Sequence, residues 1–217
     1  MEKKGIDFAA LPATAIKVIT SPAVFFREMP KTGGFLEPLV FMAVMGAVAG
    51  LVEAIIAIMG LNVGAGTGMA IASIIIFPVI IAIFGFIGAA IAFVIWKLMG
   101  SKEPYETAYR CVAYITALWP VTTLFGIIPY IGIVLAIVLT VYFYAIAGIE
   151  AHKIASQTAW LVSGIFGIIL IAMSLGAGIA SHALRGQMEE TTKEMQKSSE
   201  ETKKALEELQ KKMEKKQ

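Results

Sequence analysis

Residues 109–153 read YRCVAYITALWPVTTLFGIIPYIGIVLAIVLTVYFYAIAGIEAHK. Two apolar runs flank the uncharged turn Gly126-Ile127-Ile128-Pro129-Tyr130. Charge appears only at the far ends, as Arg110 before the first run and as Glu150 and Lys153 after the second. Each run approaches the ~20 residues that a helix needs to cross ~30 Å of hydrocarbon. Back to back, with so short a turn, they form a hairpin of membrane-spanning helices.

The composition agrees. Of 217 residues, 58% are hydrophobic and 16% charged, with a mean hydropathy of +0.78. A soluble domain would be about 25% charged. The net charge of +2 gives no reason to expect nucleic acid as a partner. The single Cys111 excludes an intramolecular disulfide and a cysteine-cluster metal site. It sits in an apolar run and reads as a small core residue. No motif calls for a cofactor, a metal or a catalytic group. Residues 1–34 carry charges throughout and lack an apolar signal core, so the first span is expected to serve as its own insertion signal.

Working outward, the fold is all-α: a polytopic five-helix transmembrane bundle over 35–184, with an N-terminal interfacial helix and a long charged C-terminal helix. In the cytoplasmic lead-in, residues 1–34, Ser21-Pro22 is a good helix start, because Ser caps free N–H groups and Pro tolerates the first helical position. The short helix carries Phe25 and Phe26 beside Arg27 and ends near Pro30. It either lies in the headgroup layer or packs on the cytoplasmic face of the bundle. Gly33-Gly34 breaks the chain.

The five spans cover about 35–59, 69–99, 107–126, 128–150 and 159–184. Pro38 and Pro129 fall in first turns, where a missing N–H costs little. Pro78 and Pro120 are expected kinks, and at Pro78 the alternative is a re-entrant segment. Gly85, Gly88, Ala89 and Ala92 make a face for close helix contact. Trp96 and Lys97 read as an interface anchor. The glycine-rich loop around Asn62, with Gly60, Gly64, Gly66 and Gly68, lacks the following Lys of a phosphate loop and reads as a flexible turn.

Orientation follows from Lys and Arg. All nine basic residues before Arg185 fall on one side of such a bundle: Lys3, Lys4, Lys17, Arg27, Lys31, Lys97, Lys102, Arg110 and Lys153. The opposite loops have none. This places the N-terminus in the cytoplasm and the C-terminus on the far side.

Residues 185–217 hold nine Lys/Arg and eight Glu. Glu189→Lys193, Glu200→Lys204, Glu207→Lys211 and Glu208→Lys212 are well-oriented i,i+4 pairs, which marks a charged helix. Met188, Thr192, Met195, Ser199, Thr202, Leu206, Leu209 and Met213 form a heptad seam that is polar in its middle. It fits either a solvated single helix or a self-associating coiled coil. The preceding span carries Gly164, Gly167, Ser174, Gly176, Gly178, Ala180 and Ser181. Its small residues favour close packing in lipid. The expected oligomer contacts are Gly164, Ser174, Gly178, Met195, Leu206, Leu209 and Met213.

In order and spacing, Ser21-Pro22 with Phe25-Phe26, Ala113-Tyr114 before Pro120, Ile128-Pro129-Tyr130-Ile131-Gly132, and Gly148-Ile149-Glu150 with His152 resemble the Yip domain family of Ypt-interacting membrane proteins, in its shorter prokaryotic form. The motif positions are Pro22, Phe25, Phe26, Tyr114, Pro120, Pro129, Gly132, Glu150 and His152. The resemblance covers roughly residues 21–180. It implies five helices, a cytoplasmic N-terminus and a far-side C-terminus. It implies roles in membrane traffic, membrane organisation and partner binding rather than catalysis. The acidic segment of the eukaryotic members is absent, so small-GTPase binding does not carry over. The charged C-terminal helix is also longer than the family's usual short end.

Glu53 is the one carboxylate well inside a span, where burial costs on the order of 3 kcal/mol near the centre. With Thr116, Thr122, Thr123 and Thr140 it is a candidate intramembrane polar site; alternatively it is a protonated, locally bonded group. His152 and His182 fall on opposite faces and cannot share a metal. Two functions follow. The first is a non-enzymatic membrane organiser, a homo-oligomer contacting lipids and possible protein partners. The alternative is a channel, transporter or lipid scramblase built on Glu53 and the kinked helices.

Overall fold

The computed structural model describes residues 7–61 and 67–214, with the backbone alone for residues 67, 179, 182, 183, 185, 186, 189, 190 and 200–214. Every described element is helical. After a 3-10 turn, Phe8–Ala10, come α1 Leu11–Thr20, α2 Pro22–Glu28, α3 Leu36–Ile58 and α4 Thr67–Leu98. Then follow α5 Tyr105–Ile115, a 3-10 turn Thr116–Leu118, α6 Trp119–Phe125, α7 Ile131–Glu150 and α8 Ser156–Glu214. The chain divides into two compact units, Met1–Ile171 and Ala172–Gln217.

Among the described residues, four stretches are long and apolar enough to cross a bilayer: Leu36–Ile58, Gly68–Leu98, Ile131–Glu150 and Ser156–Gly178. The expected span at 107–126 is not one continuous helix. Pro120 lacks the N–H that would bond the Thr116 carbonyl, and the turn before it tightens into Thr116–Leu118. Side-chain contacts nevertheless make this composite stretch a fifth passage. Trp96, near the end of α4, stacks on His152, just past the end of α7, at 4.2 Å. Both helices therefore finish at the same end of the unit. The 21 residues from Tyr105 to Phe125 must carry the chain back between them, and at ~1.5 Å per residue they are long enough to do so.

Helices α3 and α4 touch backbone to backbone. A Cβ on Gly50 would sit 2.7 Å from the Ile74 Cα and the Ser73 carbonyl oxygen. One on Gly46, a turn earlier, would sit 3.2 Å from the Pro78 nitrogen. Gly46-Ala-Val-Ala-Gly50 is thus a small-xxx-small contact in lipid. Helix α4 runs through Pro78 uninterrupted, so this segment is a full span and not a re-entrant one. Ala89 and Ala92 of the expected contact face are buried, and Gly85 abuts Met42. Gly88 instead faces open space.

The N-terminal segment differs most from its reading. The lead-in contains a second helix, α1, with Leu11 and Val18 buried. Together with Val44, Met45 and Val48 of α3 and Ala117, Pro120 and Val121, it lines a cavity of about 450 Å³. Helix α2 starts at Pro22 as expected, but the Ser21 side chain makes no capping bond. Phe25 and Phe26 are buried, which decides between the two placements of α2: it packs on the bundle. Trp96 is likewise buried rather than anchoring at the interface, because the His152 imidazole takes its face.

In the second unit, residues 172–214 are helical, as the i,i+4 charge pairs predict. Met188 and Met195 are exposed, and the Thr191 and Thr192 hydroxyls donate to the Gln187 and Met188 carbonyls. The side chains of His182, Leu206, Leu209 and Met213 lie outside the described ones, as do Asn62, Gly64 and Gly66 of the loop.

Candidate functional site

The polar chemistry of the first unit collects at one end, where the loops around Lys31, Ser101 and His152 meet. Its centre is Arg110 on α5, with its side chain 1% exposed. The guanidinium donates to the Gly34 carbonyl at 3.1 Å and to Glu37 Oε2 at 3.1 Å. It also lies over the Tyr114 ring at 5.9 Å. The Gly34 N–H donates to Glu106 at 2.6 Å, so Gly34 is held on both its backbone polar groups. Both glycines have positive φ, +129° and +88°. A side chain there is strained, which explains why the chain turns into α3 at a glycine pair.

Two further ion pairs close this end. Arg27 grips Glu150 with two 2.8 Å bonds, tying α2 to the end of α7. Lys31 meets Glu103 at 2.6 Å. Beneath them Phe25, Phe41 and Tyr114 pack at ring distances of 5.0 and 5.1 Å. Ser101 Oγ accepts from the Glu103 N–H at 3.2 Å and shares a 2.8 Å hydrogen bond with His152 Nδ1. The other ring nitrogen, Nε2, has no partner among the described residues, and neither have Tyr109 Oη and Arg110 Nε. Ser101 and His152 are both buried, and Trp96 covers the ring. The pair fastens a loop and leaves no place for a substrate.

Burial pushes the His152 imidazole from 6.5 down to about 4. The unfolded chain therefore takes up the proton first. Stability is full above pH 6.5 and declines as the pH falls towards 4, by about 3 kcal/mol in all. Thermal unfolding in detergent between pH 7 and pH 4 should show this decline, and His152→Gln should flatten it. An equally steep profile in the variant would contradict the assignment.

The motif positions are brought together here. Pro22, Phe25, Phe26, Tyr114, Glu150 and His152 all lie in or beneath this ion-paired layer. Pro120, Pro129 and Gly132 serve α6 and the turn at the opposite end, where a Cβ on Gly132 would collide with the Phe125 carbonyl. The intramembrane polar residues are placed differently. The Thr116 and Thr122 hydroxyls donate to the Ala113 and Trp119 carbonyls of their own helical turns. Thr123 is half-buried on α6, and Glu53 is half-buried near the C-terminal end of α3. Thr140 lines a separate apolar groove of about 330 Å³ between α4, α7 and the start of α8, with Trp96, Tyr144 and Phe166.

From sequence alone Arg110 is a flanking charge; its partners Gly34 and Glu37 lie more than seventy residues away. A signal existed. Arg110 stands between Tyr109 and Cys111 at the head of an apolar run, and Glu37 stands at the head of another. Two opposite charges at span entries suit a pair between helices.

A bundle of apolar helices, closed at one end by inter-helix ion pairs, defines a polytopic integral membrane protein. The chain belongs to the Yip1 domain family, whose family model matches residues 16–177. Comparison with curated proteins gives no match, and comparison with solved structures gives none.

Proposed function

We propose that this protein is a non-enzymatic membrane organiser that acts as a homo-oligomer through α8, holding lipids or partner proteins in place. Membership of the Yip1 domain family, a membrane-protein family not known as enzymatic, supports this reading. The observation that carries it is the surface of α8. Within the first unit its Leu161, Ile165 and Ile168 are exposed, and a Cβ on Gly164 would meet nothing within 4 Å. Within the second, Met173, Met188 and Met195 are exposed. Ser174 and Gly178, four residues apart, supply the small-xxx-small spacing that lets helices approach in lipid. The basic residues at the ion-paired end favour a cytoplasmic N-terminus and a far-side C-terminus.

The test is the mass of the full chain in nanodiscs beside a chain ending at Arg185. A defined multimer that drops to lower order on truncation is expected. A full-length monomer would overturn the assignment to α8, and a multimer unchanged by truncation would overturn the share given to residues 186–214. The rival reading, a channel, transporter or scramblase, draws on the groove that holds Thr140. It requires flux of ions or lipid above that of empty liposomes.

A further inference from the structure

We propose that α1, with the 3-10 turn before it, is a half-depth wedge seated among the acyl chains of one leaflet only, the leaflet beside the ion-paired end. The proposal needs no oligomer and no α8.

The depth follows from the neighbours of α1. Its C-terminal end joins α2, whose Phe25 touches Tyr114 and whose Arg27 holds Glu150, so that end lies in the charged layer. The cavity between α1 and the bundle reaches Val48 on α3 and Val121 on α6, with Phe8 in its wall. Val48 follows Glu37 by eleven residues, and Val121 follows Arg110 by eleven, so at ~1.5 Å per residue both lie ~16 Å inside the ion-paired layer. That is about half of a ~30 Å hydrocarbon core. The chain does not cross. Phe8–Thr20 meets Pro22–Glu28 at a bend of 120°, and α2 returns across the base of the bundle.

The occupant of the outer face follows from its chemistry. Ile16, outside the cavity wall, is 62% exposed, and Phe8 and Ile19 at the cavity's rim are exposed as well. The one charge on α1, Lys17, is turned back to Glu28 at 2.9 Å. This apolar face continues the exposed apolar surface of α3 at Val48 and Leu51, which faces lipid in a membrane-spanning helix. Asp7 marks the deep limit, bonded to the Ala9 N–H at 3.0 Å.

A helix added to one leaflet and not the other makes the molecule wider on that side. Its preferred membrane is therefore one that is convex towards the ion-paired end. Depth is read first, with bimane on Phe8→Cys and on Glu28→Cys in vesicles of phosphatidylcholine brominated either near the headgroup or at mid-chain. Cys111 is buried and does not compete for the label. Mid-chain bromine should quench the Phe8 site more strongly, and headgroup-proximal bromine the Glu28 site. Stronger shallow quenching at both sites overturns the wedge.

Shape preference is read with Lys102→Cys, at an exposed loop position on the ion-paired end, and a membrane-impermeant thiol reagent. In small sonicated vesicles the fraction labelled from outside should exceed that in large extruded ones. Deleting residues 1–20 should remove the excess. Equal fractions in both vesicle sizes for the full chain overturn the curvature preference.

Discussion

Arg110→Ala is expected to destabilise the bundle by about 3 kcal/mol, as large-to-small changes at fully buried sites do. The magnitude does not come mainly from the ion pair. The Glu37 side chain is 57% exposed and can turn to water when its partner is gone. The loss lies in the space left where a wholly buried side chain stood, and in the Gly34 carbonyl, which loses the guanidinium donor. An unsatisfied acceptor of that kind costs about 1–3 kcal/mol where water does not replace the donor. Arg110→Met refills much of the volume without the bonds and should recover roughly half of the loss, in keeping with the modest cost of replacing buried ionic groups by apolar ones. The measurement is SDS or thermal unfolding in mild detergent, followed by far-UV circular dichroism. If Met were as damaging as Ala, the hydrogen bonds to the Gly33-Gly34 turn would matter more than the volume. If Ala were silent, the clamp would not hold the bundle.

Gly50→Ala should cost about 2–3 kcal/mol, the upper part of the range for overpacking, and Gly50→Leu more. The added carbon would stand 2.7–2.8 Å from backbone atoms of Ser73 and Ile74, and a helix backbone cannot rotate away as a side chain can. Relief requires α3 and α4 to separate, which also strips contacts from Gly46 against Pro78 and weakens the Ser73 hydroxyl bond to the Gly50 carbonyl. Gly88→Ala is the control. It lies on α4, the helix that Gly50 of α3 meets, with no atom within 4 Å of its added carbon. It should leave stability within about 1 kcal/mol, the size of the helix-propensity difference alone. Comparable losses at both sites would show that helix packing at Gly50 is not the cause.

Much of the fold was legible because lipid imposes one-dimensional rules. A span must be apolar, helical and about 20 residues long, and each of these can be read along a single chain. Hence α3, α4 and α7 and the helical tail stand close to where their patterns place them. The reading failed where a segment obeyed another rule. Helix α1 carries Lys17 and starts after a charged stretch, a pattern that reads as part of a cytoplasmic lead-in; Leu11 and Val18 have a use only once α3 and the 3-10 turn at Thr116–Leu118 lie beside them. The 107–126 span reads as one kinked helix because hydropathy does not register a change of helical type.

The candidate site was less legible for a related reason. The motif positions Phe25, Tyr114, Glu150 and His152 are far apart in sequence, and no spacing rule connects them. Their meeting depends on α2 folding back across the base, through the Arg27 grip on Glu150. Gly46 and Gly50 were a visible small-xxx-small pair, but such a pair names no partner until a second helix lies against it.

The sequence by itself determined the all-helical class, the membrane setting, most of the spans and the gathering of basic residues at one end of the bundle. Each of these follows from how single residues partition between water and hydrocarbon. Only the tertiary structure decided that Arg110 is buried, that Trp96 covers His152, that α2 packs on the bundle and that α1 runs beside it. Each of these depends on which side chain faces which across tens of residues, where packing geometry and ion pairing choose the partner and hydropathy does not.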